Sequence, residues 1–532
     1  MTPSTSAAVL LFPDTYLDSV VQLSGTRAMR EVPGVDWAAV AMATEANLAT
    51  LRDEGFDPAD WDGAGPGDLF LAVRADTDAA RDAAQEAGRA AAFAPRTAAG
   101  GAGLAEPDPR SLAEAVGRQA TSNVAVISVP GDYAALETHQ ALGAGLDVLL
   151  FSDNVSLDDE VELKTRAAAL GRLVMGPGAG TAMLGHTCLG FANVVAPVAQ
   201  RTGAVGVVAA AGTGAQEVAS LLDRHGVGVT QVIGLGGRDL SARVRGLMGR
   251  LAVRTLAADP ATDAILLVSK PPDPDVARAV VAEAGDTPLV AALIGMDESL
   301  GAPVTVVQAP TLEAGALATL GVLGRPAPDP AAGLRAQVEE AIAAIGPERT
   351  LVRGLYSGGT LCYESLVVLD RVLGPVWSNT PLDHDLAVPA PPGSHVCLDL
   401  GEEEYTQGRP HPMIDPEARL EHLREQGRDP DVAAIVLDVV LGYGAHPDPA
   451  AALAGECARI TTGGGPRVVV YVLGTEGDPQ DLEAQRRAFR DAGCVVTGTA
   501  ARAALAAAAI ARREPGIVEL TALPAQAAER AR

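Results

Sequence analysis

The sequence predicts an α/β fold in which several doubly wound parallel sheets, of the Rossmann-like and flavodoxin-like kinds, follow one another in one chain. Short apolar runs such as residues 205–210 and 264–269 alternate with segments of helical period. This is the pattern of buried parallel strands joined by crossover helices. A chain of 532 residues also exceeds the size of a single hydrophobic core, so several domains are expected.

The first domain is predicted to be a small α/β unit over residues 1–94, followed by a linker at 95–111 that is rich in Gly, Pro and Ala. Its predicted strands are 7–12, 37–42 and 68–74, and its predicted helices are 18–30, 45–53 and 77–93.

The second domain is predicted over residues 112–200. Its predicted strands are 123–129, 147–151 and 173–175, and its predicted helices are 132–144 and 157–170. Doubly wound sheets bind ligands at the carboxyl ends of their strands. Asp153, Asn154, Gly180 and Thr181 follow such strands, so we expect them to line a pocket for a substrate or a CoA-like ligand. Capping of the helix at 157 is an equal alternative for Asp153 and Asn154.

The third domain is predicted over 201–323, with a second linker at 324–332 and a fourth domain at 333–532. The predicted strands of the third domain are 205–210, 229–234, 264–269 and 289–293, and its predicted helices are 215–225, 242–257, 274–283 and 312–320. The fourth domain is predicted to contain a helix at 336–344, a glycine turn at 354–360 with a helix through 369, a loop-rich region at 376–416, strands at 433–440 and 467–473, and a closing strand and helix within 494–512.

Two glycine turns are the main candidates for a functional site. The first glycine turn, Gly212-Thr213-Gly214, links an apolar strand to a helix, and the second, Ser357-Gly358-Gly359-Thr360, has the same build. The N–H groups of a helix N-terminus and its dipole together favour an anion. We therefore expect both turns to bind phosphate and to face one anionic reacting group. Ordinary close packing of strand and helix is the alternative.

Two basic loops are candidates for binding or catalysis. Arg238 follows Gly236 and Gly237, which are predicted to line the same substrate or CoA-like pocket, and its guanidinium is suited to hold a carboxylate or phosphate. The alternative is that Arg238 and Asp239 form a surface loop stabilised by local hydrogen bonds. Arg409 and His411 are separated by a proline that restricts the loop. They are predicted to be catalytic, with His411 protonating a leaving nitrogen or orienting a carbonyl; the alternative is a surface loop.

Lys270 directly follows the predicted strand 264–269. It is either a phosphate ligand or a solvated strand end. The acidic run 402–404 is predicted to be a solvated face, because it lacks the spaced oxygen ligands of a calcium loop. The five cysteines have no metal-ligand spacing, so we expect reduced thiols and no metal.

Composition excludes two classes of partner. The formal charge of −27 argues against nucleic acid and against anionic membranes, because both require a basic protein face. No apolar run of about 18 residues is present, and the N-terminus lacks a basic leader segment. We therefore expect a soluble cytoplasmic protein. Aromatic residues make up only 3% of the chain, so its cores must consist of Ala, Val and Leu.

Several long motifs occur in the order found in a known family. FSDNVSLDDEVELKTRAAALGRLVMGPGAGT, VGVVAAAGTGAQE and GLGGRDLS resemble the CoA-binding and following domains of the succinyl-CoA synthetase alpha subunit. GLYSGGTLCYE and DVAAIVLDVVLGYG resemble the flavodoxin-like domain of the beta subunit. With Asp399-Leu400-Gly401 and GRPHPMIDP between them, nearly the whole chain resembles the FdrA family. The resemblance implies a CoA-binding-like domain at 112–200, an alpha-like domain at 201–323 and a beta-like ligase domain at 333–532.

The resemblance also implies a reaction. In the synthetases, the helix N-termini bind a phosphate carried on a histidine that an ATP-grasp domain loads. Here no histidine lies between His225 and His384, and no stretch is left for an ATP-grasp domain. Some FdrA members are subunits of a carbamoyltransferase that phosphorolyses oxalurate. We therefore expect carbamoyl or acyl transfer through inorganic phosphate or an acyl phosphate, with no required cofactor, with CoA as a further candidate ligand, and with companion subunits in an oligomer.

Two alternatives stay open. One is an acyl-CoA synthetase subunit whose partner supplies the ATP-grasp domain and the histidine, and the other is a non-catalytic scaffold that binds a phosphate or CoA ligand. Where family members often carry Asp-Cys, this chain has Gly178-Ala179. That change removes a carboxylate and a thiol from a strand-end loop. Its expected consequence is a different substrate or the loss of a catalytic contact.

Overall fold

The computed structural model describes residues 6–17, 19–93, 109–301, 305–406 and 410–524. These residues divide into two compact units. The smaller unit contains the described residues up to 93 together with a short segment at 403–406 and Pro410, and the larger unit contains the rest. Most of the predicted linker at 95–111 lies outside the described residues.

The smaller unit is an α/β structure, but its sheet is antiparallel. Its elements are β1 (Ser6–Phe12), α1 (Ser19–Arg30), β2 (Val35–Met42), α2 (Glu45–Asp53), β3 (Leu69–Ala75) and α3 (Asp78–Ala92). The strand order is β1-β3-β2, and both pairings are antiparallel. Apolar clusters cover both faces of β3, with Leu71 and Val73 on one side and Phe70 and Ala72 on the other. Its apolar run therefore resembles that of a parallel strand.

The larger unit begins with a three-stranded parallel sheet of order β4-β5-β6. Its elements are α4 (Leu112–Arg118), β4 (Val124–Ile127), α5 (Gly131–Gly143), β5 (Asp147–Leu150), α6 (Leu157–Leu170) and β6 (Val174–Met175). The alternation of strand and helix predicted for this region is confirmed.

A seven-stranded sheet follows, in the order β13-β12-β11-β9-β10-β7-β8. Its elements are β7 (Thr181–Leu184), β8 (Thr187–Gly190), β9 (Ala204–Ala209), α7 (Gly212–Arg224), β10 (Gly228–Gly234), α8 (Leu247–Ala257), β11 (Ala264–Ser269), α9 (Pro274–Val281), β12 (Leu289–Leu293), β13 (Val306–Ala309) and α10 (Leu312–Val322). Strand β13 and the antiparallel hairpin β7-β8, whose first strand pairs with β10, were not predicted. The predicted boundary at 200 therefore does not coincide with a sheet boundary.

The helix predicted at 242–257 is wrong in its first turn, because α8 begins only at Leu247. Arg245 and Gly246 both have positive φ, 65° and 64°, which the right-handed helix does not allow. A Cβ on Gly246 would lie 2.7 Å from Val280 Cγ2 and 2.9 Å from Val276 Cγ1. Tertiary packing against α9 thus sets the start of this helix.

The last sheet is parallel, six-stranded and ordered β15-β16-β14-β17-β18-β19. The elements of this region are α11 (Leu334–Ala343), β14 (Leu351–Tyr356), α12 (Gly359–Leu373), β15 (Val376–Ser378), β16 (His395–Asp399), α13 (Glu403–Thr406, in the smaller unit), α14 (Glu417–Gln426), β17 (Val432–Val440), α15 (Pro449–Thr462), β18 (Arg467–Leu473), α16 (Leu482–Asp491), β19 (Val495–Thr497) and α17 (Ala500–Arg512). The region predicted to be loop-rich, 376–416, contains β15 and β16. These strands are short and surrounded by prolines, so their pattern is weak.

One hydrophobic core joins the seven- and six-stranded sheets. Val218 of α7, Leu361 of α12 and Leu505 of α17 belong to the same buried cluster. Residues 500–511 of α17 are all buried, and most of them are alanines, so neighbouring helices can approach closely. The prediction that Ala, Val and Leu build the core is confirmed for the described residues. Among those residues, no helix is long and apolar enough to cross a membrane.

Candidate anion-binding site

The two glycine turns contact each other in the larger unit, and the prediction that both face one bound anion stays a prediction. The first opens α7 and the second opens α12, and the N–H of Thr360 donates to Thr213 Oγ1 at 3.3 Å. A Cβ on Gly214 would lie 2.8 Å from Thr360 Cγ2, and one on Gly358 would lie 2.8 Å from Thr213 Cγ2. Glycine is required at both positions because the two helix ends contact each other.

The first glycine turn has unused hydrogen-bond donors. Among the described residues, nothing accepts a hydrogen bond from the N–H groups of Gly212, Thr213 or Gly214, and no side chain caps α7. Thr181 Oγ1 lies 4.0 Å from the position of a Cβ on Gly212, so Thr181 adds a hydroxyl beside this turn. Free N–H groups at a helix N-terminus, with hydroxyls alongside, form a site suited to an anion.

The second glycine turn is occupied by a carboxylate of the chain itself. Asp438 on β17 accepts hydrogen bonds from Ser357 N at 2.8 Å, from Ser357 Oγ at 3.1 Å and from Gly358 N at 2.8 Å. Arg419 on α14 pairs with Asp438 at 3.1 Å, and both side chains are buried. The prediction that these donors bind phosphate is therefore wrong for the N–H groups of Ser357 and Gly358, which bind Asp438.

Asp438 was missed as a site residue, although its sequence gives a signal. It is a charged residue in the middle of a nine-residue apolar strand whose residues are all buried. A carboxylate at such a position must have a partner, because an isolated buried charge is very costly. Its partners are Arg419 and the second glycine turn, and neither is close to it in sequence.

Asp399 is a second carboxylate at this place. It ends β16, and its Oδ2 lies 2.4 Å from the position of a Cβ on Gly359. Its Oδ1 accepts from Gly401 N at 3.0 Å, and Asn379 bonds its backbone N and O at 2.9 Å each. Burial, with a smaller contribution from the charge of Glu402, raises the pKa of Asp399 to about 6.

His411 lies beside Asp399. The Nε2 of His411 and the Oδ1 of Asp399 are 2.7 Å and 3.2 Å from the same point, the position of a Cβ on Gly401. His411 Nδ1 accepts from Met413 N at 3.2 Å, which assigns the ring proton to Nε2 in the neutral imidazole. Burial lowers the pKa of His411 below its usual value, so the ring is neutral near pH 7. Arg409 lies outside the described residues.

Lys270 follows β11 and lies against the first turns of α12. Its Nζ is 5.3 Å from the ring centroid of Tyr363, within range of a cation–π interaction. Its charge also acts to lower the pKa of Asp399. The structure thus brings Lys270, Asp399 and His411 to the two glycine turns.

Arg238 is engaged elsewhere. Its Nε donates to Glu160 Oε2 at 2.7 Å, and its terminal nitrogen donates to the carbonyl of Val155 at 2.8 Å. The alternative of a surface loop does not hold for Asp239, which is fully buried and pairs with the buried Lys164 at 2.9 Å. Arg238 thus lies at the end of the β4-β5-β6 sheet and not at the glycine turns. A role for Arg238 in substrate binding stays a prediction.

The other predicted pocket residues follow strands of the larger unit. Asp153 and Asn154 follow β5, and the cap of α6 is Ser156, so the proposed capping role of Asp153 and Asn154 is wrong. The carbonyl of Gly180 accepts from Phe191 N at 2.7 Å. Gly236 has a φ of 79° and packs on the backbone of Gly176 and Pro177, next to Gly237. A CoA-like ligand at these loops stays a prediction.

The sequence predicts reduced cysteines and no metal site for the whole chain, and the structure tests this only for the residues it describes. All five cysteines are free thiols. Within the described ranges, no group of three or more His, Cys, Asp or Glu side chains is arranged to hold a metal ion.

Comparison with known proteins identifies relatives over different parts of the chain. The chain is 36% identical over 527 residues to the uncharacterized protein YahF of Escherichia coli, an alignment that covers 94% of this chain and 98% of YahF. The chain belongs to the YahF family. Residues 355–510 match the CoA-ligase family, and residues 5–107 match the family described as AllF, heavy metal-associated domain. Residues 1–107 contain no Cys or His, the ligands that soft and borderline metals prefer.

Other members of the comparison are subunits of CoA ligases. The YahF-family chain is 31% identical over 169 residues to subunit alpha 2 of the ADP-forming succinate–CoA ligase of Archaeoglobus fulgidus, covering 31% of this chain and 56% of that protein. It is 28% identical over 179 residues to subunit SauD of the ADP-forming sulfoacetate-CoA ligase of Bilophila wadsworthia, covering 33% and 60%. Among solved structures, a dinucleotide-forming acetyl-coenzyme A synthetase of Ca. Korarchaeum cryptofilum has a TM-score of 0.28 at 15% identity, covering 74% of this chain and 84% of that one.

Proposed function

We propose that this YahF-family chain is the anion-binding subunit of an FdrA-like enzyme that transfers a carbamoyl or acyl group to or from inorganic phosphate. The observation that carries the proposal is the first glycine turn, whose three N–H groups have no acceptor among the described residues. These donors point away from α7, at the place where Thr213 meets the second helix N-terminus. A phosphate at this position would gain the three hydrogen bonds and the favourable end of the helix dipole.

The second glycine turn has a different role in this proposal. Because Asp438 already accepts from Ser357 and Gly358, a phosphate there would meet a resident negative charge. We therefore place the phosphate at the first turn, with Thr181 and Thr213 supplying hydroxyls. Asp438 and Arg419 hold the second turn rigid, so that α12 forms one wall of the site.

The chemistry follows from positioning and charge stabilisation. An oxygen of bound phosphate attacks the carbonyl carbon of the carbamoyl or acyl donor, and the bond from that carbon to the leaving nitrogen or oxygen breaks. The developing oxyanion needs a hydrogen-bond donor, and the Nε2–H of neutral His411 is suited to this task. The positive charge of Lys270 partly neutralises the nearby carboxylates. It acts to lower the pKa of Asp399, which means that it stabilises the ionised carboxylate.

A phosphohistidine has no place in this proposal. The loop after β11, where the synthetases resembled by this sequence carry their histidine, begins with Lys270, and no histidine occurs between His225 and His384. Phosphate would thus enter as a free ion or as an acyl phosphate. Companion subunits, by analogy with the subunit names of the relatives, would supply the remaining substrate contacts.

A second candidate function is favoured by the comparisons. The CoA-ligase match at 355–510 and the two ligase relatives support an acyl-CoA ligase subunit. In that case CoA would bind at the loops that carry Asp153, Asn154 and Gly236, and a partner would supply ATP-grasp chemistry. The partner would also supply the histidine that is phosphorylated.

Calorimetric titration of the full chain with phosphate, carbamoyl phosphate, CoA and ATP distinguishes these functions. Phosphate and carbamoyl phosphate binding that Gly212→Pro weakens at least tenfold supports the first proposal, because proline removes one of the three N–H donors. Gly455→Ala in α15 serves as the control, since a Cβ there meets no atom within 4 Å and no ligand is placed at this helix. Binding of CoA, without phosphate binding, overturns the first proposal in favour of the ligase. If none of the four ligands binds, both enzyme functions are overturned and the non-catalytic scaffold is supported. Phosphate-dependent carbamoyl exchange with companion subunits is the activity to be measured.

A further inference from the structure

Asp399 differs from Asp438 in how its oxygens are used. Both oxygens of Asp438 accept hydrogen bonds from the second glycine turn. Asp399 Oδ1 accepts from Gly401 N, whereas Oδ2 accepts no hydrogen bond from the described residues. Asp399 as a residue is only 2% exposed, but Oδ2 is not one of the fully buried atoms that lack a partner among the described residues, so this oxygen keeps access to solvent. Oδ2 is therefore the carboxyl oxygen of Asp399 that is free to contact water or a bound ligand.

The position of Oδ2 points to the anion site. It lies against Gly359, while Thr213 Oγ1 lies 2.9 Å from the position of a Cβ on the neighbouring Gly358. Gly358 and Gly359 are adjacent in the chain, and their Cα atoms are about 3.8 Å apart. The Thr213 hydroxyl therefore lies beside one of them and the Asp399 carboxyl beside the next. A Cβ on Gly359 would collide with Oδ2 at 2.4 Å, and this explains why the second glycine turn has glycine there.

We propose that Asp399 is the proton-carrying catalytic residue of the anion site, an inference that rests on the function proposed above. An ionised Asp399 beside a bound phosphate would repel it, so anion binding favours the neutral carboxylic acid. Burial, Glu402 and Asp438 raise the pKa of Asp399, whereas Lys270 and the N–H of Gly401 act to lower it, and the resulting pKa of about 6 lets a bound anion draw a proton onto this carboxylate near pH 7. The neutral acid then has a proton on Oδ2 to transfer.

The proton balance of the transfer is closed by this residue alone. An oxygen of monohydrogen phosphate attacks the carbonyl carbon, and the new oxygen–carbon bond of the acyl or carbamoyl phosphate, a mixed anhydride, forms as the carbon–nitrogen bond breaks. The leaving nitrogen takes the proton from Asp399 Oδ2, and the resulting carboxylate takes the proton that the phosphate loses. Asp399 ends in its starting state, and no proton is gained or lost in the reaction.

His411 has a complementary task. Its Nδ1 is an acceptor for Met413 N, and burial lowers its pKa, so it offers a hydrogen bond from Nε2 without being a store of protons at pH 7. Asp399 has the reverse properties. The two side chains around Gly401 thus divide the work between oxyanion stabilisation and proton transfer.

The test is the proton linkage of anion binding. Sulfate is the probe, because it does not titrate between pH 5.5 and 8 and phosphate does. If anion binding requires protonated Asp399, the affinity of the wild-type chain for sulfate falls by up to about tenfold per pH unit above the pKa of Asp399. In Asp399→Asn, the affinity should stay within twofold over that range, since asparagine is neutral and keeps the acceptor for Gly401 N.

Two matched variants isolate the group responsible. His411→Gln should keep the pH dependence of the wild type, and Asp385→Asn, at an exposed aspartate, should leave it unchanged. The same slope in Asp399→Asn as in the wild type, or a slope lost in His411→Gln instead, overturns the inference while phosphate binding stands. An absence of sulfate and phosphate binding by the wild type overturns the proposed function itself.

A measurement on the wild type keeps the inference testable if Asp399→Asn does not fold. Sulfate binding is measured calorimetrically at pH 7 in two buffers of different ionisation enthalpy. Uptake approaching one proton per sulfate bound supports the inference. Binding without proton uptake overturns it.

Discussion

The N–H of Thr360 donates to the hydroxyl of Thr213 at 3.3 Å, and this bond joins the N-termini of α7 and α12. Each threonine is followed four residues later by a fully buried glutamate, Glu217 and Glu364. Residues four apart lie on one face of a helix, so the two helices present the same Thr-to-Glu pattern to their shared core. The buried glutamates therefore lie one helical turn beyond the contact between the two helix ends.

The close contact of the two helices predicts that Gly214→Ala destabilises the larger unit by about 1–3 kcal/mol. The new Cβ would lie 2.8 Å from Thr360 Cγ2 and 3.2 Å from Val268 Cγ1, so neighbours must move. Gly455→Ala in α15 is the control, because a Cβ there meets no atom within 4 Å and alanine favours the helix by up to about 1 kcal/mol. Urea unfolding of both variants measures the difference. Equal stability of the two variants would contradict the packing described above.

Asp438→Asn should destabilise the chain by about 3–5 kcal/mol, because it leaves the buried Arg419 without its counter-charge. Arg419 bonds Asp438 Oδ1 at 3.1 Å, and both side chains are almost fully buried. The measurement is the free energy of unfolding in urea. Asp491→Asn, at the exposed end of α16, should change it by less than about 0.5 kcal/mol. A similar small effect of Asp438→Asn would show that Arg419 does not depend on this carboxylate.

Glu217 predicts a pH-dependent stability. Burial raises its pKa from 4.5 to about 7 in the folded chain, so the native state holds a proton that the unfolded state releases above pH 4.5. The stabilisation is complete below pH 4.5 and is lost as the pH rises through about 7. It amounts to about 3 kcal/mol, since one pKa unit corresponds to about 1.4 kcal/mol.

Glu217→Gln should therefore flatten the decline of unfolding free energy between pH 5 and pH 8. The amide can still accept from Ala500 N, which lies 3.4 Å from Glu217 Oε1. Burial also raises the pKa of Glu364, so Glu364→Gln should remove a further part of the slope in the same direction. Glu476→Gln, at an exposed position, should leave the slope as it is. A Glu217→Gln slope equal to that of the wild type would contradict the buried acid.

At pH 5, where Asp399 is mostly protonated in wild type and variant, Lys270→Met should weaken sulfate binding by about fivefold or more, because the lysine charge next to α12 is lost. The same change should raise the pKa of Asp399 further, since Lys270 acts to lower it. Titrations at two salt concentrations test the electrostatic origin, as screening reduces the difference between wild type and variant. Arg254→Met, on the exposed side of α8, is the control of equal charge change. Equal sulfate affinity of wild type and Lys270→Met would exclude this lysine from the site.

Local pattern and tertiary packing decided different parts of the site. The first and second glycine turns were predictable because the strand, the glycines and the helix are contiguous in sequence. The engagement of Ser357 and Gly358 by Asp438 was not, because the carboxylate comes from a strand about 80 residues away. Arg238 was expected at the substrate, yet Glu160 and Val155 hold it. A long side chain takes the nearest buried acceptor, and sequence spacing does not show which one that is.

The sequence by itself determined the alternation of strand and helix, the acidic and aromatic-poor character of the chain, and the two glycine turns, since each depends on composition or on residues within one turn of each other. Tertiary structure alone decided that the sheet of the smaller unit is antiparallel, that residues 181–190 form an edge hairpin of the seven-stranded sheet, and that Asp399 and His411 meet at Gly401. The physical reason is that strand partners and buried charge pairs are chosen between distant segments. Their free energy depends on which groups lose water together, and a local pattern does not contain that information.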